Sequence, residues 1–181
     1  MNIKIVKANA SHAEIISMIG RLSFRDAFSR LFDDKNALAE YLDYTYNIDK
    51  IAKSIHKENN VFFLAYLESV PIGFAKVKKY SLNEQIESIA QMELQKIYVL
   101  SYYHGSGAGA KLMEAVLELA DQIQPDFLWL DTHVSNSKAI RFYEKFGFAL
   151  SGKSHFTIGN QNFEYHVMCL PVAVEEQACC S

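Results

Sequence analysis

The order of periodic segments predicts one α/β (α+β) domain on a mixed, mostly antiparallel sheet flanked by helices. Three observations carry this. Residues 61–67 and 72–79 are rich in β-branched and aromatic side chains and lie a short turn apart, as in an antiparallel hairpin. Residues 89–100, a loop with three glycines, an amphipathic stretch over 107–123 and residues 127–132 make a strand–loop–helix–strand unit, which requires one parallel pair. Residues 150–158 and 163–170 then close the chain as two strands around Gly159-Asn160. With 181 residues, half of them hydrophobic, the chain can bury one substantial core. We read 1–172 as that domain and 173–181 as a flexible tail.

Residues 3–6 read as a short strand. Ser11-His12-Ala13-Glu14 has the form of a capping box, and Ile15, Ile16, Met18, Ile19 and Leu22 follow at helical spacing. The helical pattern runs on through Phe24, Ala27, Phe28, Leu31 and Phe32 and breaks near Asp33-Asp34; segments 36–46 and 48–58 read as two more helices. Pro71 falls in the expected hairpin turn, and 80–88 is polar and loop-like. Within 89–100, Met92 and Leu94 share one parity while Ile97 and Val99 share the other. Such a switch is what a β-bulge produces, and a bulge frees backbone N–H groups from the ladder; a strand buried on both faces is the alternative. Helix 107–123 gathers Ala108, Leu112, Ala115, Val116, Leu119 and Ile123 on one face and is stopped by Pro125. Helix 136–146 groups Ala139, Ile140, Tyr143 and Phe146, with Gly147 at the left-handed C-terminal cap and Phe148 placed to pack back.

A net charge of −3 argues against a nucleic-acid binder, which shows a basic excess. No apolar run approaches the ~20 residues that span a bilayer, so no membrane partner is expected. The first residues lack the layout of a signal peptide, which makes the cytoplasm the expected location. Cys169, Cys179 and Cys180 have neither disulfide-framework nor zinc-ligand spacing, and Cys169 reads as a small apolar core residue. His12, His56, His155 and His166 show no metal spacing with carboxylates or cysteines, so no metal is expected.

The segment that speaks to function is Tyr-Tyr-His-Gly-Ser-Gly-Ala-Gly-Ala-Lys-Leu over 102–112. Glycines allow close approach and line up amide N–H groups, and the helix start adds unpaired donors and the positive dipole end, so this turn is suited to phosphate. A P-loop is excluded, because Ala110-Lys111-Leu112 lacks both the glycine and the hydroxyl. A dinucleotide fingerprint matches Gly105, Gly107 and Ala110, with Asp131 where a ribose-binding acid would fall, but such a unit normally opens its domain.

A third reading covers more of the chain. Glu93 to Val99, the loop 104–109 and the segment Asn136-Ser137-Lys138-Ala139-Ile140-Arg141-Phe142-Tyr143-Glu144-Lys145-Phe146-Gly147-Phe148 together resemble the GNAT superfamily of N-acetyltransferases, over roughly 61–170. The family's pyrophosphate signature, Arg/Gln-x-x-Gly-x-Gly/Ala, is met at Gly107 and Gly109, while His104 replaces the Arg/Gln. More narrowly, Ser23-Phe24-Arg25-Asp26-Ala27-Phe28 with Tyr41-Leu42-Asp43 resembles bacterial spermine/spermidine acetyltransferases.

The resemblance implies a GNAT-like sheet whose parallel pair is splayed, with acetyl-CoA along the opening as cosubstrate. It places the cofactor on Ile97, Tyr98, Val99, His104, Gly105, Ser106, Gly107, Ala108, Gly109, Asn136 and Tyr143. It implies Tyr143 as the acid that protonates the CoA sulfur, and direct attack in a ternary complex without an acyl-enzyme. For the base, Glu93 acting through water and His133 at the end of strand 127–132 both remain open. The expected acceptor is a primary amine of a small molecule, with a polyamine in view because of Asp26, Asp33, Asp34, Glu40 and Asp43, although helix surfaces carry such charges simply as a solvated face. A homodimer is compatible with this reading. A non-catalytic acyl-CoA-binding regulator and an NAD-dependent oxidoreductase are the alternatives.

Overall fold

Seven strands form one sheet: β1 (Ile3–Lys7), β2 (Asn60–Leu67), β3 (Val70–Lys78), β4 (Gln91–Val99), β5 (Phe127–His133), β6 (Ala149–Ile158) and β7 (Gln161–Pro171), in the order β1-β2-β3-β4-β5-β7-β6. The computed structural model describes residues 2–172, so the expected tail over 173–181, with Cys179 and Cys180, lies outside the described residues. All neighbouring strands are antiparallel except β4 and β5. Among the described residues, five helices flank the seven strands of the sheet: α1 (Ala13–Phe28), α2 (Lys35–Thr45), α3 (Ile48–Ile55), α4 (Ala108–Ile123) and α5 (Ser137–Lys145).

The alternation of side chains along the strands makes two cores. On one face Leu112, Met113, Val116 and Ala120 of α4 pack on Ala75, Val77, Met92, Leu94, Leu128 and Leu130, with Tyr143 of α5 in the same cluster. On the other, Ile16, Ile19 and Phe24 of α1, Leu38 and Leu42 of α2, Tyr46 and Ile51 close over Phe62, Leu64 and Phe74. Each large apolar side chain so buried contributes about 1.5–3 kcal/mol before entropy is counted. Cys169, half-buried on β7, packs against a small third cluster of Ile86, Trp129 and Val167.

The expected bulge is present. The register of β3 with β4 jumps from Lys76↔Lys96 to Val77↔Leu94, leaving Gln95 without a partner. Met92, Leu94, Ile97 and Val99 consequently all reach the α4 face despite their mixed parity. Gly147 has the expected left-handed φ of 89° and completes a Schellman cap: Phe148 N–H donates to the Tyr143 carbonyl at 3.2 Å and Gly147 N–H to the Glu144 carbonyl at 3.0 Å.

Two local expectations are corrected. The capping box lies two residues upstream of Ser11-Glu14: the Asn9 side chain accepts from Ser11 N–H, and His12 Nδ1 accepts from Asn9 N–H, both at 3.0 Å. This box opens a 3-10 turn over Ala10–His12, and α1 then continues from Ala13 without a side-chain cap. Pro71 lies inside β3 opposite Tyr66; the hairpin turns instead at Glu68, whose φ is 56°. Proline is tolerated there because the β2–β3 register slips between Ala65 and Tyr66, at the end of the ladder.

Candidate functional site

Strands β4 and β5 pair at only three positions, Gln91↔Phe127, Met92↔Leu128 and Glu93↔Trp129. Beyond them β4 follows β3 as far as Val99, while β5 follows β7 as far as His133. The sheet therefore opens between two parallel strands, into a cleft of about 1570 Å³. Val99 stands opposite Gly73, while Leu100 N–H donates to the Ile72 carbonyl at 2.9 Å, so Val99–Gly73 is a non-hydrogen-bonded pair. The N–H of Val99, and by alternation that of Ile97, thus points away from β3 and across the gap. Glycine is required at 73: a Cβ there would lie 2.6 Å from the Tyr98 carbonyl oxygen.

From β4 the chain makes a 3-10 turn, Ser101–Tyr103, and enters the glycine loop. His104 is exposed at the start of the loop and lines the cleft. Its Nε2 lies 2.9 Å from the Val99 carbonyl and ties the loop back to the strand end. Gly105 and Gly107 have φ of 84° and 89°, values that an L side chain resists. Ser106 Oγ accepts from Ala108 N–H at 3.3 Å. The amides of Gly105 and Gly107 have no backbone acceptor among the described residues, and those of Gly109 and Ala110 lie in the first turn of α4, where none is available. Four unsatisfied donors within six residues, at the positive end of a 16-residue helix, fit a diphosphate.

The other walls come from α5 and β5. Asn136 caps α5, its Oδ1 accepting from Ala139 N–H at 3.2 Å, and also lines the cleft. Tyr143 packs its ring against Phe142 and Phe148 and reaches the same cleft. Burial alone raises the pKa of its phenol well above the usual value, and the hydroxyl gains no hydrogen bond from the described residues. It is a phenol that keeps its proton at neutral pH and has no competing partner.

Glu93 and His133, proposed from sequence as rival bases, both line the cleft. Glu93 Oε2 accepts from Ser81 Oγ at 2.7 Å and pairs with Lys78 Nζ at 3.3 Å, while Oε1 has only a long 3.4 Å contact to Gln95. His133 sits among the rings of Phe28, Phe163 and Tyr165, with Nδ1 2.8 Å from Ser135 Oγ; burial lowers its pKa and keeps it neutral.

Sequence reasoning passed over Lys76 and Lys96, and named Asp131, a third polar group of the cleft, only as the ribose-binding acid of the dinucleotide alternative. Asp131 accepts from Ser154 Oγ at 2.8 Å, and burial, with Glu93 nearby, raises its carboxyl pKa. Lys76 and Lys96 stand opposite one another across β3 and β4. Alternation puts Asp131 on the face of Trp129 and signalled its place, but the direction of Lys96 depends on the bulge. Of the five acidic residues noted at the first helices, only Asp26 and Glu40 line the cleft. Asp43 pairs with Arg21 at 2.7 Å and Asp34 caps α2. Among the described residues, no three His, Cys, Asp or Glu side chains are grouped as metal ligands, and no helix is long and apolar enough to cross a membrane.

A model of the acetyltransferase (GNAT) family matches residues 23–148. An uncharacterized N-acetyltransferase of Mycobacterium tuberculosis is 40% identical over 77 residues, 42% of this chain and 49% of that protein. The chain thus spans about half the length of this curated relative. The spermine/spermidine N(1)-acetyltransferase of Bacillus subtilis is 27% identical over 133 residues, 73% of this chain and 86% of its own. Among solved structures, the PaiA N-acetyltransferase of Thermoplasma acidophilum in complex with coenzyme A superposes with a TM-score of 0.76 at 20% identity, covering 94% of this chain and 99% of that one.

Proposed function

The chain belongs to the acetyltransferase (GNAT) family, and from that premise we propose that it transfers an acetyl group from acetyl-CoA to a primary amine of a small molecule, by direct attack with both bound. The observation that carries this is the meeting, in one cleft, of unsatisfied loop amides, a bulge-opened strand and an unpartnered phenol. Acetyl-CoA, when bound, supplies the acyl group as an activated thioester. The amides of Gly105, Gly107, Gly109 and Ala110 hold its diphosphate, and Ala108 keeps the helix start packed beneath them. The N–H groups of Ile97 and Val99 line the acyl arm and donate to negative charge developing on its carbonyl oxygen, a contribution worth about 3 kcal/mol per donor at comparable sites.

Proton traffic falls to two side chains. Tyr143, kept protonated by burial, delivers its proton to the departing sulfur. Glu93 receives the amine's proton through water at Oε1, the oxygen not engaged by Ser81 or Lys78. His133, neutral and on the opposite strand, is the second candidate base. The Bacillus relative's name brings a polyamine into view as acceptor, but Asp26 is held by Ser101 and the cleft that Glu40 lines also presents Lys50, Lys76 and Lys96.

Thiol release from acetyl-CoA across a panel of amines tests the proposal. Tyr143→Phe is expected to lower the turnover rate by about 10²-fold while CoA affinity stays near that of the unaltered protein. Unchanged turnover would remove Tyr143 from its role. CoA binding without acetylation of any amine would instead favour the regulator reading. A melting temperature raised by NAD and not by acetyl-CoA would favour the oxidoreductase.

A further inference from the structure

Resting on the acetyl-transfer reading, we propose that the acceptor is an amine that also carries an anion, a carboxylate or a phosphate, bound by Lys76 and Lys96. The two residues are direct cross-strand partners at the bulge, so their side chains leave the same face of the sheet. Both line the main cleft, Lys96 one residue before Ile97, whose amide faces the opening. Lys96 Nζ lies 5.6 Å from the centre of the Tyr46 ring, and Lys76 Nζ 5.4 Å from that of Phe62. Lys50, its Nζ 3.2 Å above the Tyr44 ring, adds a third cation to this end of the cleft.

Like charges set directly opposite on paired strands destabilise a sheet, and a largely desolvated ammonium costs more still. Folding compensates only in part, through the Phe62 and Tyr46 rings and the more distant charge of Glu93. No carboxylate among the described residues lies within 4 Å of Lys76 or Lys96; the nearby Glu93 pairs with Lys78. Of the four carboxylates lining the cleft, three are already engaged, Asp26 by Ser101, Glu93 by Lys78 and Ser81, and Asp131 by Ser154, and the fourth, Glu40, is exposed on α2. Burial lowers the pKa of both lysines to about 8, so at neutral pH each keeps its charge and still lacks a counter-ion. An anion on the acceptor supplies that counter-ion and, through charge-assisted hydrogen bonds, holds the amine end toward Ile97 and Val99. An unmodified polyamine would bring further positive charge to the same place.

The test uses matched amines at saturating acetyl-CoA: propylamine against 3-aminopropanoate for a carboxylate, ethanolamine against phosphoethanolamine for a phosphate, and spermidine. The expected result is a kcat/KM higher by about tenfold or more for the anionic member of at least one pair. The double substitution Lys76→Met with Lys96→Met should collapse that ratio toward one, and the double arginine variant should keep it. Equal rates within both pairs, or spermidine ahead of every anionic amine, would overturn the proposal.

A second measurement is independent of turnover. With CoA already saturating the glycine loop, millimolar inorganic phosphate should raise the melting temperature of the unaltered protein and not that of the double methionine variant. The same shift in both proteins would count against the lysine site. Loss of CoA-dependent stabilisation itself would count against the acetyl-transfer reading instead.

Discussion

Gly107 joins the loop to α4 with φ of 89°, and a Cβ added there would touch nothing within 4 Å. Gly107→Ala therefore acts through backbone strain: a loss of about 1–2 kcal/mol in denaturant unfolding, with weaker CoA binding from the displaced amides. Gly20 is the opposite case, since a Cβ there would lie 2.3 Å from the Tyr46 ring and compete with core packing. Lys76 and Lys96 make a pH signature. Their folded pKa of about 8 lies below the ordinary 10.5, so between pH 8 and 10 the unfolded chain binds more protons and stability rises with pH. Below pH 8 both lysines are charged in either state and the desolvation cost is borne in full. The groups facing them are Lys50 of α3, Lys57, Lys78 of β3, Glu93 of β4 and the Tyr46 ring. Above pH 10 the buried phenols Tyr98, Tyr143 and Tyr165, with raised pKa values, pull the other way. Denaturant titrations from pH 7 to 10 should show this rise in the unaltered protein and a flatter profile in the double methionine variant.

At the scale of elements, β4 does most to build the site. Its N-terminal half is fixed by both neighbours, and its C-terminal half is held by β3 alone. The polar segment 80–88, which reads as a plain loop, is pinned to this strand. The Gln91 side-chain amide donates to the carbonyls of Asn83, Ile86 and Ser88, and its oxygen accepts from Asn83 N–H at 2.7 Å. Trp129 Nε1 donates to the Ser81 carbonyl at 2.8 Å, and Ser81 Oγ donates to Glu93. Gln91→Leu leaves these buried backbone groups unsatisfied, with an expected loss of about 1–3 kcal/mol in urea unfolding. It should also lower turnover more than CoA affinity, because Glu93 loses the fixed position of Ser81.

For the whole molecule, the consequence of the gap is that one sheet is held together by β4–β5 pairing at only three positions. A ligand lying between the strand ends and the α4 loop adds bridging contacts that the unfolded chain cannot offer. Acetyl-CoA at 100 times its dissociation constant should stabilise the fold by about 2.7 kcal/mol, read as a rise in melting temperature. Much of this was legible in the residues alone. The strand order of the hairpin and of the last two strands, the glycine loop, the Gly147 cap and the parity switch at 92–99 follow from local chemistry, because turn geometry, left-handed glycines and side-chain alternation act over a few neighbours. Asn136, Tyr143, Glu93 and His133 were named from resemblance and alternation and all line one cleft. The direction of His104 toward Val99, the engagement of the first-helix carboxylates and the pairing of Lys76 with Lys96 were decided only in the tertiary structure. The Asp26–Ser101 contact and the Lys76–Lys96 pair join segments far apart in the chain, and Lys96 depends also on a one-residue bulge that turns the later side chains of β4 to the other face. His104 and Asp34 find partners only five and two residues away, in turns whose geometry is set by the folded backbone.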